Sequence, residues 1–251
     1  MYYKKLNIIE KKVLNKRYFI ITFRDEEIAE NALPGQFCQL KLSYQSYPVL
    51  PRPFSIYKAE GSKFSFLIKI VGNSTQKLSK KQEGDQISVL GPLGKGFQLV
   101  QEKQILLVSG GIGYAPLHFL KQKLVRHNHK VIFLHGCKDK FDVFNQECIN
   151  YTEDGSVGEM GLVTTGIEKL LQENEIDLIY ACGPNPMLKK VSEICLANEV
   201  ELQVSLETMM ACGMGVCCGC VIKFRENNEI IFKKACKDGP VFNGKKVIWD
   251  D

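Results

Sequence analysis

Five of the ten cysteines in this 251-residue chain, Cys212, Cys217, Cys218, Cys220 and Cys236, crowd into its C-terminal tail. The first ligand pattern is Cys212-x4-Cys217-x2-Cys220, and Cys236 follows later. Three thiolates so close together can wrap one side of a metal–sulfur core, and a fourth from a distant hairpin closes the coordination. Structural zinc also takes four cysteines, but it usually draws them from two C-x2-4-C knuckles, whereas one loop here supplies three. The pattern therefore predicts a [2Fe–2S] cluster on Cys212, Cys217, Cys220 and Cys236. Cys218 directly follows Cys217, should point away from it, and is read as a non-ligand. Gly213, Gly215 and Gly219 suit a loop that must hug a cluster and turn its amides toward sulfur. The remaining cysteines, Cys38, Cys137, Cys148, Cys182 and Cys195, are dispersed and read as small core or surface residues.

A second chemistry lies upstream. Gly110-Gly111-Ile112-Gly113-Tyr114-Ala115-Pro116 follows the apolar run Ile105 to Val108 and opens a stretch with helical spacing. Missing side chains let backbone approach a pyrophosphate, although glycines after a strand also serve plain tight turns. Position 116 is Pro, so this is not the G-x-G-x-x-G fingerprint. Ala181-Cys182-Gly183-Pro184-Asn185-Pro186-Met187 marks another strand-to-helix junction. Both junctions fall at the carboxyl ends of expected strands, where open α/β sheets bind ligands. Cys182 is placed either facing a nicotinamide or packed at a strand end. Lys138 and Lys140, after the second strand of this half at Val131 to Leu134, are candidates to meet a 2′-phosphate or are simply solvated.

A third constellation is Arg52-Pro53-Phe54-Ser55-Ile56, a cation, a rigid turn and a hydroxyl within five residues. The Arg fork suits a flavin pyrophosphate, and the Ser hydroxyl or neighbouring amides suit the ring edge. Gly72-Asn73-Ser74-Thr75 precedes a short helical stretch and offers a second phosphate-binding start.

The elements that must position these groups divide the chain in two. Up to residue 100, short β-type runs at Tyr18 to Phe23, Phe37 to Leu42, Phe64 to Val71 and Gln86 to Leu90 predict a small antiparallel barrel. Beyond it, strands are expected at Ile105 to Val108, Val131 to Leu134, Leu162 to Thr165, Leu178 to Ala181 and Leu202 to Leu206. Helices are expected at Ala115 to Val125, Ile167 to Leu171 and Pro186 to Leu196, giving a parallel sheet covered on both faces. The predicted fold class is α/β plus β: a flavin-binding antiparallel β-barrel over 1–100, a nucleotide-binding α/β domain over 101–207 and a small cluster-binding subdomain over 208–251.

Composition narrows the function classes. The chain is 45% hydrophobic, enough for a real core. Its net charge of +5 comes from scattered residues rather than basic runs, which argues against nucleic acid. The N-terminus lacks a signal-like apolar stretch, and no segment is apolar enough to span a membrane, so a soluble cytoplasmic protein is expected.

The order of these motifs resembles the ferredoxin reductase-type flavoproteins, with RPFSI, then GGIGYAP and ACGPNPM. With MACGMGVCCGC and ACKDGPVF added, it resembles the electron-transfer subunits of heterodimeric NAD-dependent dihydroorotate dehydrogenases across essentially all 251 residues. The resemblance implies FAD held by Arg52, Pro53, Phe54 and Ser55 and by Gly72 and Thr75, with Ser74 standing where Gly is usual. It implies NAD(H) as substrate at Gly110, Gly111, Gly113, Cys182, Gly183 and Pro184, and the four cysteines as cluster ligands. No side chain is expected to act as a catalytic acid or base. An FMN-containing catalytic subunit is the implied partner, in a heterotetramer of two catalytic and two electron-transfer subunits serving pyrimidine biosynthesis. Subunits of electron-bifurcating ferredoxin/NADP or sulfur-reducing complexes are the alternative. In at least some of those an Asp replaces the first cluster Cys, whereas this chain has Cys212.

Overall fold

The structure is a computed structural model that describes residues 1–42, 50–100, 104–127 and 129–249. Its first half is one antiparallel sheet of strands β1 (Tyr2–Val13), β2 (Tyr18–Arg24), β3 (Phe37–Lys41), β4 (Arg52–Ser55), β5 (Lys58–Glu60), β6 (Lys63–Lys69) and β7 (Gln86–Leu93), with two short helices, α1 (Glu26–Glu30) and α2 (Asn73–Ser79). The strand order is β4-β3-β7-β1-β2-β6-β5. Alternation decides which side chains face inward: Phe19, Ile21 and Phe23 of β2 and Phe64, Phe66 and Ile68 of β6 meet in one core. The opposite face is not wet. Tyr18 and Leu67 pack instead against the second half of the chain, so β2 and β6 are buried on both sides.

The second half is a sheet of β8 (Ile105–Gly110), β9 (Val131–Cys137), β10 (Ile149–Thr152), β11 (Glu159–Met160), β12 (Leu178–Cys182) and β13 (Glu201–Ser205). Helices α3 (Tyr114–Arg126), α4 (Val163–Glu173) and α5 (Asn185–Ala197) cover it. β8 lies between β9 and β12, parallel to both, and all six of its residues are buried, which is why it reads as an unbroken apolar run. The tail adds a hairpin, β14 (Val221–Glu226) with β15 (Glu229–Lys234), and a last strand, β16 (Val241–Asn243), which pairs antiparallel with β13. The cysteine-rich tail is thereby sewn onto the edge of the nucleotide-type sheet.

One expectation needs correction. Leu162 to Thr165 is not a strand: Gly161 turns the chain at φ +134, Leu162 caps α4, and Val163 and Ile167 bury one helical face. The β-branched Val and Thr residues mimic a strand, but their partners four residues on lie on a helix. The strand beside β9 is β10, whose Ile149-Asn150-Tyr151-Thr152 is too polar to read as one. β1, twelve residues with Ile8 alone buried, also escapes a reading based on apolar runs.

No helix among the described residues is long and apolar enough to cross a membrane.

Candidate functional site

Three cavities run end to end through the molecule. The first, about 390 Å³, is lined by Arg52, Pro53 and Phe54 of β4 and by Val71, Gly72, Asn73, Ser74 and Thr75. The second, about 330 Å³, shares Pro53, Phe54, Val71 and Thr75 with it and adds Phe37, Ser55, Cys182 and the segment from Ser205 to Thr208 with Met210. The third, about 450 Å³, shares Lys69, Ile112 and Glu207 with the second and is lined by Gly110, Gly111, Gly136, Lys138, Gly183, Pro184 and Met187. Each is of a size that small-ligand sites occupy. The trough thus brings Arg52, Ser55, Cys182 and the glycine loop, predicted separately, onto one continuous surface.

Local sequence explains the walls. Arg52 places Nη1 3.4 Å from the Leu50 carbonyl and 3.3 Å from that of Pro51, and it has no carboxylate partner among the described residues, leaving its charge for the cavity. Thr75 is already occupied: its Oγ1 accepts from the amides of Val71 and Gly72 at 2.9 and 3.1 Å and donates to the Gly72 carbonyl at 3.0 Å. Its role is to shape the 71–75 turn, and the groups left for a ligand there are Asn73, Ser74 and the turn's backbone. In the second cavity, the buried Thr208 Oγ1 has no hydrogen-bond partner among the described residues, as expected of a wall awaiting a polar ligand.

The two strand-end loops interlock. A Cβ on Gly110 would lie 2.7 Å from Met187 Sδ and 2.8 Å from Pro184, and one on Gly113 would overlap the Cys182 carbonyl. These glycines are demanded by packing between the loops. Gly111 is different: at φ +53, with open space where a Cβ would sit, it is the glycine that exposes backbone to the third cavity. Cys182 is buried on the wall of the second cavity, and burial pushes its thiol up. Lys138 lines the third cavity, whereas Lys140 Nζ lies over the Phe141 ring at 5.7 Å.

The cysteines lie just beyond Met210. Cys220 and Cys236 are buried with their sulfurs 3.1 Å apart, while Cys212 is half-buried and Cys217 exposed. Amides reach three of these sulfurs: Met214 and Cys217 donate to Cys212 Sγ at 3.5 and 3.4 Å, Gly215 to Cys236 Sγ at 3.1 Å, and Cys236 to Cys220 Sγ at 3.4 Å. Burial raises the Cys212 thiol, but the amides of Cys217 and Met214 outweigh it and bring it to about 6. Gly213 and Gly215, at φ +73 and +87, make the turns that aim those amides inward. Lys234 Nζ holds the loop by donating to the Gly215 carbonyl at 2.8 Å. Among the described residues no three Cys, His, Asp or Glu converge as the shell of a single ion. Closely grouped thiols with backbone amides directed at their sulfurs suit a thiolate-held metal–sulfur core. Cys218 is exposed at φ +56, with its sulfur 3.9 Å from the Val216 carbonyl.

Residues 207–248 match the family described as the iron–sulfur cluster binding domain of dihydroorotate dehydrogenase B. The chain is 37% identical over 251 residues to the dihydroorotate dehydrogenase B (NAD(+)) electron transfer subunit of Caldanaerobacter subterraneus subsp. tengcongensis, covering 98% of each. The chain belongs to this family. A second member, from Clostridium acetobutylicum, is 39% identical over 225 residues, 87% of each chain. Among solved structures, an NADH-dependent reduced ferredoxin-NADP oxidoreductase superposes with a TM-score of 0.87 at 29% identity, over 97% of this chain and 90% of that one. A ferredoxin NADP+ reductase from Neisseria gonorrhoeae, at 19% identity and a TM-score of 0.67 over 78% of this chain and 91% of that one, shares the fold. The alignment with the first of these relatives spans the barrel, the sheet and the cysteine tail of this chain.

Sequence reasoning missed Lys69, Glu207 and Thr208. Lys69 and Glu207 line two cavities each, and Thr208 lines one beside them. A lysine closing the apolar run 64–68 was the available signal for the first. Nothing local marks the other two.

Proposed function

We propose that this chain is the electron-transfer subunit of an NAD-dependent dihydroorotate dehydrogenase, carrying electrons between an FMN-containing catalytic subunit and NAD+. The observation that carries this reading is the continuity of the trough: it runs from Arg52 to Glu207, and Thr208 and Met210 on its wall lead directly into the cysteine loop. In this reading the barrel over 1–100 holds FAD, the sheet over 101–207 receives NAD(H), and the tail over 208–251 holds a [2Fe–2S] cluster. FAD bound in the trough would supply the exchange between hydride and single-electron chemistry that a nicotinamide and a one-electron cluster require of one another.

The protein's own residues position and insulate. Arg52 neutralises pyrophosphate charge at the solvent end, with Asn73, Ser74 and the 71–75 backbone beside it. Pro53, Phe54 and Phe37 form the apolar wall for a ring system, and Ser55 and Thr208 offer hydroxyls to its edge. Gly111 brings backbone to the nucleotide, while Gly110, Gly113, Gly183 and Pro184 keep the two loops in register around Cys182. Cys212, Cys217, Cys220 and Cys236 would hold the cluster, with amides already directed at the Cys212, Cys220 and Cys236 sulfurs. No acid or base is required of a side chain.

Two copies of this chain with two catalytic subunits, working in the cytoplasm, complete the proposal. An apolar rim at the tail, with Met209 at 88% and Val216 at 75% exposure, supports docking there of the catalytic subunit. The test is reconstitution. Alone, the purified protein should reduce artificial acceptors with NADH and show no dihydroorotate oxidation; adding the catalytic subunit of the same organism should create NAD-dependent dihydroorotate oxidation. Failure of the two to associate or couple, with another flavoprotein doing both, would replace this reading by a differently partnered reductase.

A further inference from the structure

The outer face of β3 carries an amide without a hydrogen-bond partner among the described residues. Gln39 is 1% exposed, and neither its Oε1 nor its Nε2 has a hydrogen-bond partner among the described residues. Buried amides are nearly always paired, so a pair of orphaned atoms at one site points to a partner that only a ligand provides.

Register places this amide. Gln39 stands opposite Pro53 of β4 and Leu90 of β7, on the face it shares with Phe37, while Cys38 and Leu40 turn into the barrel core. The cysteine loop covers that face. A Cβ on Gly213 would lie 2.6 Å from Gln39 Nε2, so the amide rests against the backbone of the residue that follows Cys212. Gln39 therefore occupies the seam between the wall of the flavin trough and the loop that carries the first cluster cysteine.

We propose that Gln39 Nε2 donates a hydrogen bond to a sulfur of the [2Fe–2S] cluster on its Cys212 side and raises the cluster's reduction potential. The inference rests on the cluster assignment made above. Thiolate and sulfide sulfurs only accept, so they require the amide flip that turns Nε2 to the loop, and Nε2 is the Gln39 atom nearest the Gly213 position. Cys212 Sγ takes the amides of Met214 and Cys217 from within its own loop. Gln39 is the donor that arrives from the barrel. A donor to sulfur stabilises the reduced cluster, which carries one more negative charge, and so favours electron transfer onto it from the trough.

The test uses the full-length protein with FAD and cluster in place, comparing wild type, Gln39→Met and Gln39→His. Methionine keeps the length and removes the donor; histidine keeps a donor. Iron and sulfide content is measured first, then cluster and flavin midpoints by spectroelectrochemical titration with EPR. Gln39→Met should retain the cluster, with its midpoint moved to more negative potential and its g-values altered, the flavin midpoint unmoved, and Gln39→His closer to wild type. If Gln39→Met loses iron while Gln39→His keeps it, the donor role is equally supported. An unchanged cluster midpoint in Gln39→Met, a shift confined to the flavin, or loss of iron in both variants would overturn it. Wild-type protein lacking iron and sulfide would instead remove the cluster assignment itself.

Discussion

At the scale of single residues, the assignments divide by whether a side chain is already used. Arg52 has no carboxylate partner among the described residues, so Arg52→Ala should remove a charge-assisted contact of about 1.5–3 kcal/mol and weaken FAD retention roughly ten- to a hundredfold. Flavin loss on dilution or gel filtration measures it, and full occupancy in the mutant would count against the assignment. The cysteines are tested together. Ser at 212, 217, 220 or 236 should each abolish or destabilise the cluster while leaving NADH reduction of FAD intact. Ser at 218 should not, because that sulfur already faces the Val216 carbonyl and solvent. Iron and sulfide analysis of the five proteins decides the ligand set.

At the scale of elements, the junctions between β8 and α3 and between β12 and α5 are one interlocked unit. Gly113 sits where the second loop's carbonyl passes closest, so Gly113→Ala must move either loop. Overpacking of this kind costs typically ~1–3 kcal/mol. The expected result is a lower urea midpoint together with a raised KM for NADH. Gly111→Ala has no such clash and should act chiefly through its positive φ and its place on the third cavity, raising KM with a smaller loss of stability.

At the scale of the whole molecule, charged and aromatic contacts hold barrel to sheet. Asp142, 1% exposed, receives the Tyr18 hydroxyl at 2.9 Å and faces Arg17 at 3.4 Å and Lys69 at 3.6 Å, while Arg17 reaches Asp139 at 2.8 Å. Because Arg17 and Lys69 remain about a third exposed, Asp142→Asn should cost about 2 kcal/mol rather than the full price of an unpaired buried charge. A denaturant titration reads this directly. His118 of α3 stacks on Tyr57 of the barrel with ring centroids 4.4 Å apart. Burial first, then repulsion from Lys121 and Lys58, pushes its imidazole down to about 4 from 6.5. The unfolded chain therefore takes the proton more readily than the folded one, so this contribution is intact above about pH 6.5 and is lost as pH falls toward 4. The whole gap corresponds to at most ~3 kcal/mol. His118→Gln should flatten the fall in unfolding free energy across that window, and an unaltered slope would show that His118 does not carry it.

What the sequence determines by itself is what is written in local spacing. Cys212, Cys217 and Cys220 announce a cluster because three candidate ligands come from one loop; the β8 run and its glycines announce a strand, a turn and a helix in order; and Phe64, Phe66 and Ile68 announce a strand by alternation. The misreading at Leu162 to Thr165 and the silence of β10 have one cause: β-branched residues at a helix start and a polar strand look locally like their opposites, and only burial against neighbours separates them. Tertiary structure alone decided that Gly110 and Gly113 serve loop packing while Gly111 faces open space, that Thr75 is spent on its own turn, and that Lys69 and Glu207 join two cavities. It alone set Gln39 of the barrel against Gly213 of the tail, 174 residues apart by 213 − 39. Such contacts depend on strand register and on how two halves dock, and neither distance nor docking is encoded in any short window of the chain.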